Sequence, residues 1–182
     1  MAWRSLVLAL WVAGCGGGAA TVGGPTGPSA DQPIELQLTT TEGRIVELSD
    51  QRGGLVLLFV LATYDGLSQA EVRPVSRFTR EANDTVVLGV VAERDAPSFA
   101  PIYADALDPP YTVVYDAQAS ITAGTSQLGE LPGVPTFYMI DAHGIVVDRR
   151  TGYLTEQDLF AMRDRARARG GITTTSAPAP SP

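Results

Sequence analysis

The sequence predicts an α/β domain with a central mixed β-sheet flanked by helices, and three observations support this fold class. Two runs of Leu and Val without charged residues, 55–63 and 85–92, have the composition of strands buried on both faces. Apolar residues recur at helical spacing after the first run. Near the C-terminus, two short apolar runs flank an Asp-Ala-His-Gly turn, which indicates a β-hairpin. Strands that alternate with helices and end in a hairpin are typical of a mixed sheet.

The first 14 residues have the features of an export signal. Arg4 precedes an apolar stretch of about ten residues, which suits a signal peptide and is shorter than the roughly 20 residues that span a bilayer. Val-Ala-Gly-Cys at 12–15 resembles a bacterial lipobox, in which the cysteine is lipidated and becomes the mature N-terminus. The resemblance implies a membrane anchor at Cys15, and Gly16 implies the outer membrane of the cell envelope, facing the periplasm. Ordinary cleavage that leaves a free Cys15 is the alternative.

Composition divides the remaining chain into a tether, one domain and a tail. Residues 15–32 and 170–182 are rich in Gly, Pro, Ser, Thr and Ala, which predicts a flexible tether and a disordered tail. Residues 33–169 are long enough for one domain with its own core. The formal charge is −7 and all 13 basic residues are Arg. An acidic chain without a basic stripe argues against nucleic acid as a partner, and the Arg residues at 163–169 are interpreted as a solvated helix face.

The elements of the first half can be placed in order. Alternating apolar residues at 34–38 and 45–48 predict an N-terminal hairpin. The run 55–63 is expected to be the central strand, which Tyr64-Asp65-Gly66 ends. A helix is expected to begin at Asp65, with apolar residues along one face. These residues are Leu67, Ala70, Val75, Phe78 and Ala82.

The second half continues the alternation. After the strand at 85–92, Asp95 as N-cap and Pro97 in the first turn predict a short helix that ends near Leu107. The remaining elements follow from apolar runs and periodicity. They are a strand at 111–115, a weak helix at 116–127, a hairpin of 137–140 and 145–147, and an amphipathic helix at 155–169 through Leu159, Phe160 and Met162.

Two stretches resemble the thioredoxin-like thiol–disulfide oxidoreductases of the TlpA/ResA type. FVLATYDGLSQAEVRP at 59–74 is similar to the pattern FWATWCGPCRAEMP, and GVPTFYMIDAHGIVV at 133–147 is similar to GVPTTFLIDRDGRIV. The resemblance covers about 34–167. It implies a thioredoxin-like fold with an N-terminal β-hairpin addition, and a cis Val134–Pro135 bond across from the reactive turn.

The resemblance places the two redox cysteines on Asp65 and Ser68, so neither position carries sulfur. Thiol–disulfide exchange requires an attacking thiolate and a resolving thiol, and peroxiredoxin chemistry begins with a peroxidatic cysteine. Cys15 is the only cysteine in the chain, and lipidation would consume it. The site is therefore interpreted as a degenerate redox site, for which we expect no catalytic residue, no cofactor and no metal.

Asp65 and Ser68 have ordinary structural interpretations. Asp65 is expected to be the N-cap of the first helix. Ser68 would need a neighbouring base to act as a nucleophile. The single histidine, His143, is expected in an exposed hairpin turn away from Ser68. The pattern therefore argues against serine hydrolysis.

Two further positions near this turn are informative. Glu71 matches a glutamate that lies beneath the active site in redox-active relatives. It is interpreted either as a helix residue with access to water or as a partly buried carboxyl with a raised pKa. Pro74 stands one place later than the family proline and leaves Arg73 in that position.

The sequence leaves two hypotheses about function. In the first, the chain is a redox-inactive binding or accessory module. Tyr64, Asp65, Gly66, Val134 and Pro135 would line a groove in which an extended peptide pairs with the main chain of Val134. In the second, the chain takes part in thiol–disulfide or peroxiredoxin-like antioxidant work with a cysteine from a partner. The missing sulfur favours the first, with an envelope protein or peptide of unknown identity as partner.

Overall fold

The computed structural model describes residues 32–170. The predicted signal, Cys15, nearly all of the tether and the tail beyond residue 170 lie outside the described residues. Seven strands and three α-helices form in this range. The strands are β1 Gln37–Thr40, β2 Ile45–Glu47, β3 Leu55–Leu61, β4 Thr85–Val91, β5 Thr112–Tyr115, β6 Thr136–Ile140 and β7 Val146–Thr151; the helices are α1 Gly66–Glu81, α2 Ala96–Leu107 and α3 Glu156–Gly170. Among the described helices, none is long and apolar enough to cross a membrane.

The strands form one mixed sheet in the order β2-β1-β5-β4-β3-β6-β7. β3 is parallel to β4 and antiparallel to β6, and every residue of β3 is buried. The prediction of two uncharged, buried strands is confirmed. The prediction that β3 is the central strand is wrong by one place. Three strands, β5, β1 and β2, lie beyond β4, so β4 occupies the middle of the sheet and β3 is its neighbour.

All three α-helices contribute to a core on one face of the sheet. Its helical members include Val75 and Phe78 of α1, Tyr103 of α2 and Met162 of α3. Irregular segments cover the opposite face. They contribute Ile34 and Leu36 before β1, and Ile121 and Leu128 between β5 and β6.

The segment between β5 and β6 contradicts the helix predicted at 116–127. It is a series of turns, in which Asp116 accepts hydrogen bonds from the Gln118 and Ile121 N–H groups at 2.9 Å and from Ser120 Oγ at 2.7 Å. Ala119 has a φ of 54°, which a helix does not accommodate. Short polar side chains that bond nearby main-chain groups compete with helix formation in this way. The segment still covers the sheet, through Ile121 and Leu128.

The inward face of α1 also differs from the prediction. Leu67 is 42% exposed and Ala70 is exposed, whereas Ser68 and Glu71 are buried beside Val75 and Phe78. Polar residues can occupy these inner positions because hydrogen bonds satisfy some of their side-chain oxygen atoms. At the start of α2, Asp95 occupies the N-cap position as predicted, but its side chain makes no capping bond.

The start of the domain is attached to the turn between β6 and β7. Ile34 N–H donates to the Gly144 carbonyl at 2.8 Å, and Gly53 N–H donates to the Ala142 carbonyl at 2.8 Å. The last residue of α3, Gly170, lies close to Ala142 as well. Both ends of the described chain therefore lie at this end of β6.

Candidate functional site

The candidate site lies where β3 ends and β6 begins. The antiparallel register pairs Val60 with Thr136, so the loop after β3 and the loop before β6 lie side by side at one edge of the sheet. Phe59 and Phe137 are also paired, and their rings stack with centroids 5.1 Å apart. The sheet thus brings the loop of Tyr64 to the loop of Pro135.

Asp65 caps α1, as the sequence predicts. Its Oδ2 accepts a hydrogen bond from Ser68 N–H at 2.7 Å, and its backbone is extended, with φ −86° and ψ 122°. The carboxylate therefore satisfies a first-turn donor and interacts favourably with the helix dipole. The flanking residues Tyr64 and Gly66 are exposed, and Tyr64 is 80% exposed.

Ser68 lies beneath the loop, facing the sheet. It is 1% exposed, and its Oγ accepts a long hydrogen bond from Ala62 N–H at 3.4 Å. Its hydroxyl therefore helps to hold the end of β3. Asp65 and Ser68 are close together, but their oxygen atoms serve the main chain of the turn.

Glu93 also holds this loop, and the sequence analysis missed it. Its carboxylate accepts hydrogen bonds from Thr63 N–H at 3.1 Å and from Thr63 Oγ1 at 2.8 Å. Gln69 Nε2 donates to the Thr63 carbonyl at 2.6 Å. Glu93 lies two residues beyond the end of β4, and the ends of parallel β3 and β4 meet at the same edge. An acidic residue just after the second buried strand was therefore the signal that could have identified it.

The other side of the site is the loop before β6. The Val134–Pro135 peptide bond is cis. Thr136 Oγ1 donates to the Gly133 carbonyl at 2.7 Å, and Gly152 N–H donates to the Pro135 carbonyl at 2.9 Å. Among the described residues, the N–H and C=O groups of Val134 have no hydrogen-bond partner. Val134 is half-buried and Pro135 is buried, on the loop that lies beside the loop of Tyr64.

Glu71 lies on the same inner face of α1, one turn after Ser68. It is fully buried; Oε1 accepts a hydrogen bond from Leu154 N–H at 2.5 Å, and Oε2 has no partner within the described residues. Burial raises the pKa of Glu71 to about 7; the bond from Leu154 opposes the rise and the charge of Asp158 adds to it. Of the two interpretations from the sequence, the structure supports the buried carboxyl with a raised pKa.

Comparison with known families identifies the family to which this chain belongs. The Redoxin family profile matches residues 24–165. The chain belongs to the Redoxin family. No curated protein matches the sequence.

Solved thioredoxin-like structures share the fold of this Redoxin chain. The exposed lipoprotein thioredoxin Etrx1 from Streptococcus pneumoniae is 23% identical with a TM-score of 0.60, over 71% of this chain and 98% of that one. A thiol:disulfide interchange protein of the thioredoxin family from Chlorobium tepidum is 19% identical with a TM-score of 0.60, over 76% and 99%. StoA from Bacillus subtilis is 13% identical with a TM-score of 0.60, over 72% and 98%. These similarities confirm the predicted fold class.

The side chains at the two redox positions of this Redoxin site carry oxygen atoms and no sulfur. The single cysteine of the chain, Cys15, lies outside the described residues. His143 is exposed in the turn between β6 and β7, where its main-chain N–H donates to Asp141 Oδ1 at 2.9 Å. It therefore lies at the end of β6 away from Ser68 and does not serve it as a base. Within residues 32–170, no cluster of three or more His, Cys, Asp or Glu side chains is placed to hold a metal ion.

Proposed function

We propose that this Redoxin chain is a redox-inactive binding or accessory module of the bacterial cell envelope. The proposal rests on the structural roles of the residues at the two redox positions. Asp65 caps α1 and Ser68 is buried against Ala62, so both have structural roles and neither carries sulfur. Without an attacking and a resolving thiol, the chain alone does not perform thiol–disulfide exchange.

The groove between the two loops provides a surface for an extended peptide. The unpaired N–H and C=O of Val134 are the groups with which an added strand forms main-chain hydrogen bonds. Tyr64 and Gly66 are exposed on the facing loop, and Asp65 is partly exposed there. In this proposal the peptide lies between Tyr64-Asp65-Gly66 and Val134-Pro135, with the aromatic ring of Tyr64 against it.

The proposed location follows from the N-terminal segment. Residues 1–14 would be removed as a signal, Cys15 would carry the lipid, residues 15–32 would tether the domain of residues 33–169, and residues 170–182 would form a disordered tail. One structural neighbour, Etrx1, is an exposed lipoprotein. With Gly16 after the cysteine, the outer membrane facing the periplasm is the proposed site.

The test restores sulfur at the two redox positions. The double variant Asp65→Cys and Ser68→Cys is made in a Cys15→Ser background, so that no other thiol is present. Two cysteines at an N-cap and three residues further along a helix suit an intramolecular disulfide, and the first-turn N–H groups should lower the pKa of the first thiol below about 8.5. We expect a disulfide after air oxidation and insulin reduction by the double variant, with no turnover by the parent chain.

Two results would refute the proposal in different ways. Insulin reduction by the parent chain above a blank without protein would show that redox activity persists without these cysteines. A folded double variant whose thiols remain free and titrate near pH 8.5 would show that positions 65 and 68 do not form the redox pair.

A further inference from the structure

A second cleft, of about 370 Å³, lies between α1 and the loop that precedes α3. It is separate from the groove and does not include Val134 or Tyr64. The residues that line it are Arg73, Pro74, Arg77, Tyr153, Thr155 and Glu156.

The charge of this cleft is opposite to that of the chain. The chain has a net charge of −7, yet two guanidinium groups and a single carboxylate line the cleft. Arg73 and Arg77 are four residues apart on one side of α1, and this basic pair was not predicted from the sequence. Arg73 is exposed, and its side chain makes no hydrogen bond or ion pair among the described residues.

The cleft already contains a carboxylate of its own. Glu156 Oε2 lies 3.9 Å from Arg77 Nη1, a long ion pair between partly exposed side chains. A contact of this kind contributes little stability, so a competing carboxylate can replace it. The contact also shows that a carboxylate fits between the two walls.

The wall opposite α1 is held in place. Glu71 binds the N–H of Leu154, and Thr155 uses its N–H and its hydroxyl on Asp158, at 2.9 and 2.5 Å. The guanidinium groups of Arg73 and Arg77 therefore provide the positively charged donors for a ligand, from the α1 side of the cleft. Tyr153 is 56% exposed and adds an aromatic ring.

We propose that this cleft binds an acidic segment of a partner polypeptide. A carboxylate of the partner pairs with Arg73 and replaces Glu156 at Arg77, and the chain of the partner packs against Tyr153. Guanidinium groups suit carboxylates because they can donate two parallel hydrogen bonds. Arg73 stands where the TlpA/ResA pattern has proline, so that pattern does not supply this basic group. The proposal does not depend on the groove at Val134.

The test measures binding of a defined peptide to the full chain in mild detergent. The probe is a fluorescein-labelled, C-terminally amidated peptide of alternating Glu and Ala, and its control has Gln in place of Glu. We expect Arg73→Gln to weaken binding of the Glu peptide about tenfold, the loss expected for one charged hydrogen bond. Arg80→Gln, on the same helix but outside the cleft, should leave the affinity unchanged. Glu156→Gln should tighten binding, because it removes the internal competitor.

Three results would overturn the proposal. Equal binding of the Glu and Gln peptides would exclude recognition of carboxylates. Unchanged affinity in Arg73→Gln, with its far-ultraviolet circular dichroism intact, would place the peptide elsewhere. If Arg73→Gln instead loses binding to phosphatidylglycerol vesicles and keeps binding of the Glu peptide, the cleft recognises a lipid surface. None of these results bears on the insulin test of the two redox positions.

Discussion

Replacing Glu71 by Gln should change how the stability of this protein depends on pH. The Glu71 carboxyl is fully buried, and only one of its oxygens has a hydrogen-bond donor, Leu154 N–H. Gln keeps an acceptor for that N–H and remains neutral at every pH. The variant therefore removes the charge and retains the contact between α1 and the loop before α3.

The size of the effect follows from the shift in pKa. Burial raises the pKa of Glu71 from 4.5 to about 7 in the folded protein. Between these values the folded state holds a proton that the unfolded state has lost, so stability falls as pH rises. The neutral carboxyl's contribution is complete below about pH 4.5 and is lost as pH rises through about 7. At about 1.4 kcal/mol per pKa unit, the loss is about 3 kcal/mol.

Urea unfolding at pH 5 and pH 8 measures this loss. Far-ultraviolet circular dichroism is the appropriate signal, because both tryptophans, Trp3 and Trp11, lie outside the described residues. Relative to the parent chain, Glu71→Gln should gain about 2.5 kcal/mol between pH 5 and pH 8, because part of the full loss already occurs below pH 5. Glu81→Gln, an exposed change on the same helix, should show no such gain. If parent and Glu71→Gln show the same change with pH, Glu71 does not titrate in this range and the burial argument is wrong.

Two further predictions concern the cap and the anchor. Asp65→Ala should lower the free energy of unfolding by about 1 kcal/mol because Ser68 N–H loses its acceptor, whereas Asp95→Ala should change it little because Asp95 makes no capping bond. Equal losses in the two variants, measured by urea unfolding, would contradict this account. Cys15→Ser should move the protein from the membrane fraction to the soluble fraction, since the proposed lipid is its anchor. Sedimentation of that variant with envelopes at high salt would refute the lipobox interpretation.

The buried strands and the turn at Asp65 were predictable because the residue types at these positions indicate burial or helix capping directly. An uncharged run such as β3 has few alternatives to burial, and a short acidic side chain before a helix is a good cap. The helix predicted at 116–127 failed for a local reason. Asp116 binds main-chain groups in its own turn, and sequence spacing does not show that competition.

The candidate site was harder to predict because buried polar residues do not follow apolar periodicity. Leu67 was expected inside and is outside, since Ser68 and Glu71 occupy the inner face and bond the main chain of Ala62 and Leu154. The partner of Glu71 is 83 residues away in sequence, and that of Glu93 is 30 residues away. Such contacts depend on how the strands are paired, which local patterns do not specify.

The positions of the two ends of the described domain have a practical consequence for experiments on this protein. Ile34 and Gly170 both lie near the turn between β6 and β7, whereas Val134 lies just before the opposite end of β6. A strand of this length separates the two ends by roughly 17 Å. A sensor surface, resin or fluorescent protein attached at either end of residues 34–170 would therefore lie at the opposite end of β6 from Val134. Protein immobilised at residue 34 should capture a peptide as well as protein immobilised at residue 170.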